Sequence, residues 1–148
     1  MAGAAEVVDA AIRRAGMLRV NSLRELFLAA ETLSRWRGNT AERLLILTNG
    51  GGLGVVAADA AGVEGIELAT LAPETVARLD AVLPPNWSRG NPLDIIGDAP
   101  VERYVHTIEA LEGDPAAQAV LFAHAPTAIV SSVEIARALA PLAQRHEP

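Results

Sequence analysis

The feature that most constrains the fold is a buried strand followed directly by a cluster of glycines and then by a helix. Residues 43–49 read RLLILTN, a continuous apolar run that ends in polar residues. Such a run is typical of a central parallel strand that is covered on both faces. Residues 50–54 read GGGLG and predict a tight turn, and residues 55–61 predict a helix that stops at Gly62. This order predicts an anion site, because a helix N-terminus carries free N–H groups and the positive end of the helix dipole.

The chain after this helix also predicts strands that alternate with helices. Further strands are predicted at 66–71, 93–96 and 119–124. Helices are predicted after Pro73, after Asp98 as N-cap, and after a capping box at 131–134. The side chains expected to face the core are Val76, Leu79, Leu83, Tyr104, Val105, Ile108 and Leu111. The alternation predicts an α/β fold with a doubly wound parallel sheet.

Residues 1–40 predict a helical lead to this domain. One helix is predicted over 5–15, ended by Gly16, and a second runs from a capping box at 22–25 to about Trp36. Residues 37–40 read RGNT and interrupt the helical pattern. The domain boundary is therefore placed here, with the helical lead at 1–40 and the α/β domain at 41–148.

The composition excludes several kinds of partner and site. The net charge of −6 and the pI near 5.0 disfavour nucleic acid and anionic membranes as partners. Cysteine and lysine are both absent, which excludes thiol nucleophiles, thiolate metal sites and lysine-based phosphate binding. Apolar runs all fall short of the ~18 residues that span a bilayer. A soluble cytoplasmic protein is expected.

The glycine cluster does not fit two well-known nucleotide motifs. A G-x-G-x-x-G pattern beginning at Gly50 requires glycine at position 55, where the chain has Val55. No lysine follows Gly54, so the phosphate-binding loop of the G-x-x-x-x-G-K type is also excluded. A tight strand-to-helix turn without any ligand remains an equally open interpretation of the cluster alone.

Other polar residues are expected at the same end of the sheet, because ligands collect at the carboxyl ends of parallel strands. Asn91 and Asp94 flank a proline-stiffened turn and could bond the glycine loop, a partner, or only their own backbone. His124 ends a strand there and could bind or position an anion, but it has no acidic partner in sequence. His106 is expected on the surface, and His146 lies near the end of the chain. No cluster of metal ligands is seen.

Three longer stretches, taken together, resemble a known family. They are RLLILTNGGGLGVVAADAAG at 43–62, LPPNWSRGNPLDIIGDAPVERY at 83–104 and AVLFAHAPTAIVSSVEIARAL at 119–139. In their order and spacing they resemble the NDP-forming acyl-CoA synthetases. That superfamily includes ADP-forming acetate–CoA ligase, succinyl-CoA synthetase and some protein acetyltransferases with a synthetase-like region. The leading segment resembles the family's connector.

The resemblance implies a flavodoxin-like fold and a site for a phosphorylated histidine carried by a neighbouring segment. The implied phosphate-binding residues are Asn49, Gly50, Gly51, Gly52, Leu53 and Gly54. Asn49 is expected to add its side-chain amide and Leu53 to anchor the first helical turn in the core. Asn91, Asp94 and His124 are the implied supporting residues. The chain lacks the family's Ser-His-Thr-Gly motif, so it is not expected to be catalytic alone.

The resemblance also implies cofactors and partners for a full-length enzyme. It implies ADP or ATP, CoA and Mg²⁺, none of them bound tightly by this chain, and it implies CoA-binding and ATP-grasp domains as partners. The domain is expected to be truncated at its C-terminus, and an open sheet edge would favour a homodimer. The alternative is a stand-alone domain that binds a small ligand or mediates assembly without catalysis.

Overall fold

The structure is a computed structural model that describes residues 2–35 and 41–144. The chain divides into two compact units, Met1–Asn39 and Thr40–Pro148. The turn predicted at 37–40, the predicted helix end at Trp36 and His146 lie outside the described residues. No helix in the described ranges is long and apolar enough to cross a membrane.

The first unit contains two helices, α1 at Ala2–Arg14 and α2 at Leu23–Arg35. The predicted capping box precedes α2: Glu25 N–H donates to Ser22 Oγ at 3.1 Å, and Asn21 N–H donates to the Glu25 carboxylate at 2.6 Å. Gly16 follows α1 with a φ of +69°, as a helix-ending glycine does. The apolar stripe of α2 is exposed, since Phe27 retains 72% of its accessible surface.

The second unit alternates strands and helices as predicted. Its elements are β1 at Arg43–Thr48, α3 at Gly51–Val63, β2 at Glu67–Leu68, α4 at Pro73–Val82, β3 at Leu93–Asp94, α5 at Val101–Leu111, a 3₁₀ turn at Pro115–Gln118, β4 at Val120–Ala123 and α6 at Ser132–Gln144. Each strand pair within the described residues is parallel. The prediction of an α/β fold with a parallel sheet flanked by helices is confirmed.

Strand β1 is the centre of the sheet. Along one edge it pairs first with β2 and then with β3: Leu44 O accepts from Ala69 N–H at 2.9 Å, and Thr48 O accepts from Ile95 N–H at 2.8 Å. Along the other edge it pairs with β4, where Leu45 N–H donates to Ala119 O. Two short strands therefore share one edge of β1 and leave a gap between them.

The side chain of Asn91 fills this gap. Its Oδ1 accepts from Ile46 N–H at 3.0 Å, and its Nδ2 donates to Leu44 O at 2.7 Å and to Ala69 O at 2.9 Å. The amide thus takes the place of a missing piece of strand and satisfies backbone groups that burial would otherwise leave unpaired. Among the alternatives open for the Asn91 side chain, neither a bond to the glycine loop nor an Asx turn is observed, because the side chain bonds the strands instead.

The main core lies on one face of the sheet. Leu45 and Leu47 of β1 are fully buried there, and the face is covered by α4, α5 and α6. The core is completed by Leu79, Tyr104, Leu111 and Ile135 of these helices and by Leu83, which follows α4. The other face of β1, with Ile46 and Thr48, packs against α3. This arrangement agrees with a strand that is apolar on both faces.

Two helix starts differ from the prediction. Helix α3 begins at Gly51 rather than near Val55, so the glycines form its first turn instead of a separate loop. Helix α5 begins at Val101 after Pro100, and Asp98 does not cap it. Asp98 forms an ion pair with Arg103 of α5 instead. Proline next to a helix start suits the first turn, where no intrahelical N–H partner exists.

The loop before α4 and the 3₁₀ turn are joined by the buried carboxylate of Asp114. It accepts from Ala72 N–H at 3.0 Å and from Ala116 N–H at 2.7 Å. Burial alone would raise the pKa of this carboxyl, but the hydrogen bonds from Thr75 and the two backbone amides, with the charge of Arg78, outweigh burial and lower the pKa.

Replacing Asn91 by alanine should lower the free energy of unfolding by about 2–4 kcal/mol, because it leaves Ile46 N–H and two carbonyls without their partner. The matched control is Asn86→Ala, which removes an exposed asparagine from the same loop. Urea unfolding followed by circular dichroism measures both. Equal stability of the two variants would contradict the role assigned to the Asn91 amide.

Asp114 should make stability depend on pH in the acid range. Because its folded pKa lies below the unfolded value of about 3.9, its contribution is complete above about pH 5. That contribution is lost as the pH falls through the unfolded and then the folded pKa. Asp114→Asn should cost about 1–3 kcal/mol at pH 7 and flatten the loss below pH 5. Thermal melts from pH 7 to pH 3 test this, with Asp59→Asn as the control because Asp59 is exposed on α3. If the stability of both variants falls with pH in the same way, the role assigned to Asp114 is wrong.

Candidate functional site

The candidate site is the rim where β1, β3 and β4 end and α3 begins. In an open α/β sheet the carboxyl ends of the strands form the usual ligand-binding crevice. Helix α3 has thirteen residues, Gly51–Val63, so its N-terminus carries the full positive end of a helix dipole. Gly50 precedes it in an extended conformation, and no side chain caps the helix.

Only part of the glycine cluster offers free amides. Gly50 N–H donates to Thr48 Oγ1 at 3.1 Å, and Leu53 and Gly54 N–H donate back to Gly50 O at 2.9 and 3.1 Å. Gly51 and Gly52 N–H have no acceptor in the part of the chain that the structure describes. Both residues are exposed. An anion at this helix end therefore has two amide donors available from the cluster.

The glycines differ in what surrounds them. A Cβ at Gly50 would lie 3.1 Å from Ala125 Cβ, and one at Gly51 would lie 3.0 Å from Asp94 Oδ2. A Cβ at Gly54 would lie 3.0 Å from both Pro92 and Thr48. At Gly52 nothing lies within 4 Å. Packing therefore accounts for three of these glycines, while the position of Gly52 opens onto free space beside an unused amide.

Asn49 links the ends of β1 and β4. Its Nδ2 donates to Ala125 O at 2.9 Å, and its Oδ1 accepts from Ala125 N–H at 2.8 Å. The residue is 1% exposed. The side-chain amide expected to bind phosphate is thus engaged with backbone and withdrawn from the surface. Asn49 fixes the distance between the helix start and the loop after β4.

Leu53 does not anchor the first turn of α3 in the core. Its side chain retains 38% of its accessible surface. The residues of α3 that are buried are Gly54 and Ala61, whose small size lets the helix approach the sheet closely. The prediction of a buried Leu53 is therefore wrong, because the residue of the first turn that packs against the sheet is Gly54, beside Thr48 and Pro92.

Asp94 brings a carboxylate to the start of α3. Its Oδ1 accepts from Ile96 N–H at 2.9 Å, and its own N–H donates to Ser88 Oγ at 2.9 Å. Its Oδ2 is the atom that a Cβ at Gly51 would meet. Of the two residues predicted on this loop, Asp94 lies at the site and Asn91 lies within the sheet.

His124 follows β4 and belongs to an aromatic cluster with Tyr104 and Phe122. Its Nδ1 lies 3.3 Å from the Tyr104 hydroxyl, and its ring stacks on Phe122 at a centroid distance of 6.3 Å. Burial raises the pKa of Tyr104 against the opposing charge of Arg103, so the phenol keeps its proton. The Nε2 atom of His124 is buried and has no partner among the described residues. His106 is exposed, as predicted.

Sequence reasoning missed three residues that shape the site: Thr48, Ala125 and Tyr104. They act through close packing or through bonds to residues 2, 76 and 20 positions away in the chain. The Thr48 bond is a local turn of the kind that Thr favours, whereas the contacts of Ala125 and Tyr104 join distant parts of the chain and have no local signal. Within the described ranges no group of three or more His, Asp or Glu residues is placed to hold a metal ion.

Comparison with known families places residues 44–146 under a family model described as the Ligase-CoA domain. Acetate–CoA ligase [ADP-forming] I of Archaeoglobus fulgidus is 38% identical over 139 residues, which are 94% of this chain and 20% of that protein. The α subunit of acetate–CoA ligase [ADP-forming] I of Pyrococcus furiosus is 32% identical over 136 residues, which are 92% of this chain and 29% of the subunit.

A solved structure of a similarly named enzyme also matches this chain. The dinucleotide forming acetyl-coenzyme A synthetase 1 of Ca. Korarchaeum cryptofilum, in complex with phosphate and ADP, matches with a TM-score of 0.87 and 28% identity. The match covers 95% of this chain and 30% of that one. The chain thus spans between a fifth and a third of the length of these similar proteins.

Gly54 and Gly52 should respond oppositely to alanine. Gly54→Ala places a methyl group 3.0 Å from Pro92 and Thr48 and should cost about 1–3 kcal/mol through overpacking. Gly52→Ala enters open space in a helix and should be neutral or stabilising by up to about 1 kcal/mol. Urea unfolding measures both. Loss of stability in Gly52→Ala, or none in Gly54→Ala, would show that the glycine contacts are misassigned.

Proposed function

Because this chain belongs to the Ligase-CoA domain family of the NDP-forming acyl-CoA synthetases, we propose that it is one domain of a larger ADP-forming acyl-CoA ligase. In this proposal it holds a phosphoryl group at the N-terminus of α3. The observation that carries the proposal is the pair of exposed amides at Gly51 and Gly52, which have no acceptor in the described part of the chain. A free helix N-terminus favours a phosphate both through its N–H groups and through its dipole.

The site would act by electrostatic preorganisation. The amides are aimed before the anion arrives, so they need no reorganisation when negative charge is brought to them. Two contacts support this rigidity: Thr48 Oγ1 holds Gly50 N–H, and Asn49 holds the loop at Ala125. A backbone N–H does not titrate at physiological pH, so these two donors would stay available as the pH changes. Residues of this chain would hold and orient the phosphoryl group through hydrogen bonds, without forming a covalent bond to it.

The phosphoryl group would arrive on a histidine of another segment, as the family resemblance implies. In such a reaction the imidazole nitrogen attacks the acyl phosphate, the N–P bond forms and the carboxylate leaves. ADP then takes the phosphoryl group and releases the imidazole. The described histidines do not supply this nucleophile in our proposal, because His124 is packed against Phe122 and Tyr104, and His106 is on a helix surface. ADP or ATP, CoA and Mg²⁺ would serve the full enzyme.

The partners in this proposal are the remaining domains or subunits of the synthetase, including CoA-binding and ATP-grasp domains. This chain matches only 20% and 29% of the length of the two relatives, which supports the view that other segments supply the reacting groups. We place the enzyme in the cytoplasm as part of the same proposal. The exposed position of Gly51 and Gly52 suits a group that must be reached from another segment.

Titration of the isotope-labelled chain with inorganic phosphate tests the proposal. NMR shifts of the Gly51 and Gly52 amides should move and saturate, while the Gly62 amide at the far end of α3 should not. Gly52→Glu should abolish the response, because it puts a carboxylate into the open space at the helix start.

The matched control is Gly62→Glu, which adds the same charge about 15 Å further along the helix, beyond the screening length of about 10 Å at ordinary ionic strength. It should bind phosphate as the parent chain does. Unmoved Gly51 and Gly52 amides at high phosphate, or an equal loss in both glutamate variants, would reject the proposed site.

A further inference from the structure

We propose that Asp94 sets the affinity of this phosphate site and keeps it weak, by holding a carboxylate beside the two free amides of α3. The inference rests on the proposed phosphoryl-docking function. It assigns to Asp94 a role opposite to that of a ligand: the carboxylate competes with the bound anion for the same positive potential. The site then holds a phosphoryl group long enough to be transferred and releases it readily.

The position of Asp94 is fixed by the fold. It is the last residue of β3 and lies in register with Thr48, the last residue of β1. Its backbone N–H is held by Ser88 Oγ, and its Oδ1 is held by Ile96 N–H. Oδ2 receives no hydrogen bond from the described part of the chain. The side chain therefore cannot swing away from the helix without breaking the bond to Ile96.

The carboxylate lies close to the amide donors. A Cβ at Gly51 would be only 3.0 Å from Asp94 Oδ2, so glycine is needed at this position to admit the acid. A phosphoryl oxygen bound by Gly51 N–H would be a near neighbour of Oδ2. Like charges a few ångströms apart repel even near a protein surface, where the effective dielectric constant is about 20. The fold thus builds the repulsion into the site.

Nearby arginines do not neutralise Asp94. Arg89 pairs with Asp80, and Arg103 pairs with Asp98 and also donates to Ile95 O. Asp94 has no ion pair within the described residues. In the described part of the chain no cation therefore neutralises the negative charge of Asp94, which lies beside the positive N-terminus of α3. When no anion is bound, the carboxylate itself interacts favourably with the helix dipole.

Asp94→Asn tests the inference. Asparagine has nearly the same shape and keeps an oxygen for Ile96 N–H, so the change removes charge and preserves the loop. We expect the dissociation constant for inorganic phosphate, measured from the Gly51 and Gly52 amide shifts, to fall about tenfold, which corresponds to about 1.4 kcal/mol. Asp94→Ser, which is short and uncharged, should act in the same direction and guards against an effect peculiar to asparagine.

The matched control is Asp59→Asn, which removes one negative charge from an exposed position about 10 Å further along α3 than Gly52. Its dissociation constant should stay within about twofold of the parent, as expected for a screened charge. The advantage of Asp94→Asn should shrink as sodium chloride is raised from about 0.05 to about 0.5 M, because added salt screens repulsion. A purely structural role of Asp94 would not produce this salt dependence.

The outcomes separate the two proposals. If phosphate moves the Gly51 and Gly52 amides but binds Asp94→Asn with equal or lower affinity, the inference is overturned and the docking function stands. If the amides move in neither protein, the docking function fails, and the inference fails with it. Tighter binding by Asp94→Asn at low salt, with Asp59→Asn unchanged, supports the charge competition.

Discussion

The hydrogen bonds of the Asn91 side chain hold together the part of the structure on which the site depends. One amide joins three backbone groups from β1 and from the residue after β2, across the gap between β2 and β3. By fixing Asn91 it also fixes Pro92, whose ring lies against Gly54 and sets the approach of α3 to the sheet. Asp94 follows two residues later and lies against Gly51. The placement of the helix N-terminus and of its neighbouring charge therefore both follow from one buried amide.

The main elements of the fold are predictable from sequence because they rest on local composition. The apolar run at 43–49 predicts a central strand, and residues 45–48 of that strand are buried. The capping box at 22–25 predicts a helix start, and its bonds form. Helix α3 is harder to bound because it is apolar on all sides and lacks the periodicity of a half-buried helix. Helix α3 begins at Gly51, earlier than predicted, because glycines in a sequence favour a turn over a helix.

The site is less predictable, because its residues interact across long separations in the chain. An asparagine before a proline has the same local signature whether it forms an Asx turn or fills a gap in a sheet. The partner of Asn49 lies 76 residues away. The five-residue glycine cluster predicts a close approach at a helix start. It does not reveal that a side chain at Gly50, Gly51 or Gly54 would crowd neighbouring atoms, while one at Gly52 would enter open space. Those distinctions exist only once the chain has folded.

The pairing of Asn49 with Ala125 has a consequence for the chemical lifetime of the protein. Asparagine followed by glycine is the dipeptide most prone to deamidation, because the unhindered glycine nitrogen can attack the side-chain amide. In the folded chain the amide of Asn49 is buried and bonded on both its nitrogen and its oxygen. Hydrolysis would replace the NH₂ group that faces Ala125 O by a negatively charged oxygen. Each unfolding event exposes Asn49 to irreversible deamidation. The lifetime of the intact Asn49–Ala125 pair therefore depends on how rarely the domain unfolds.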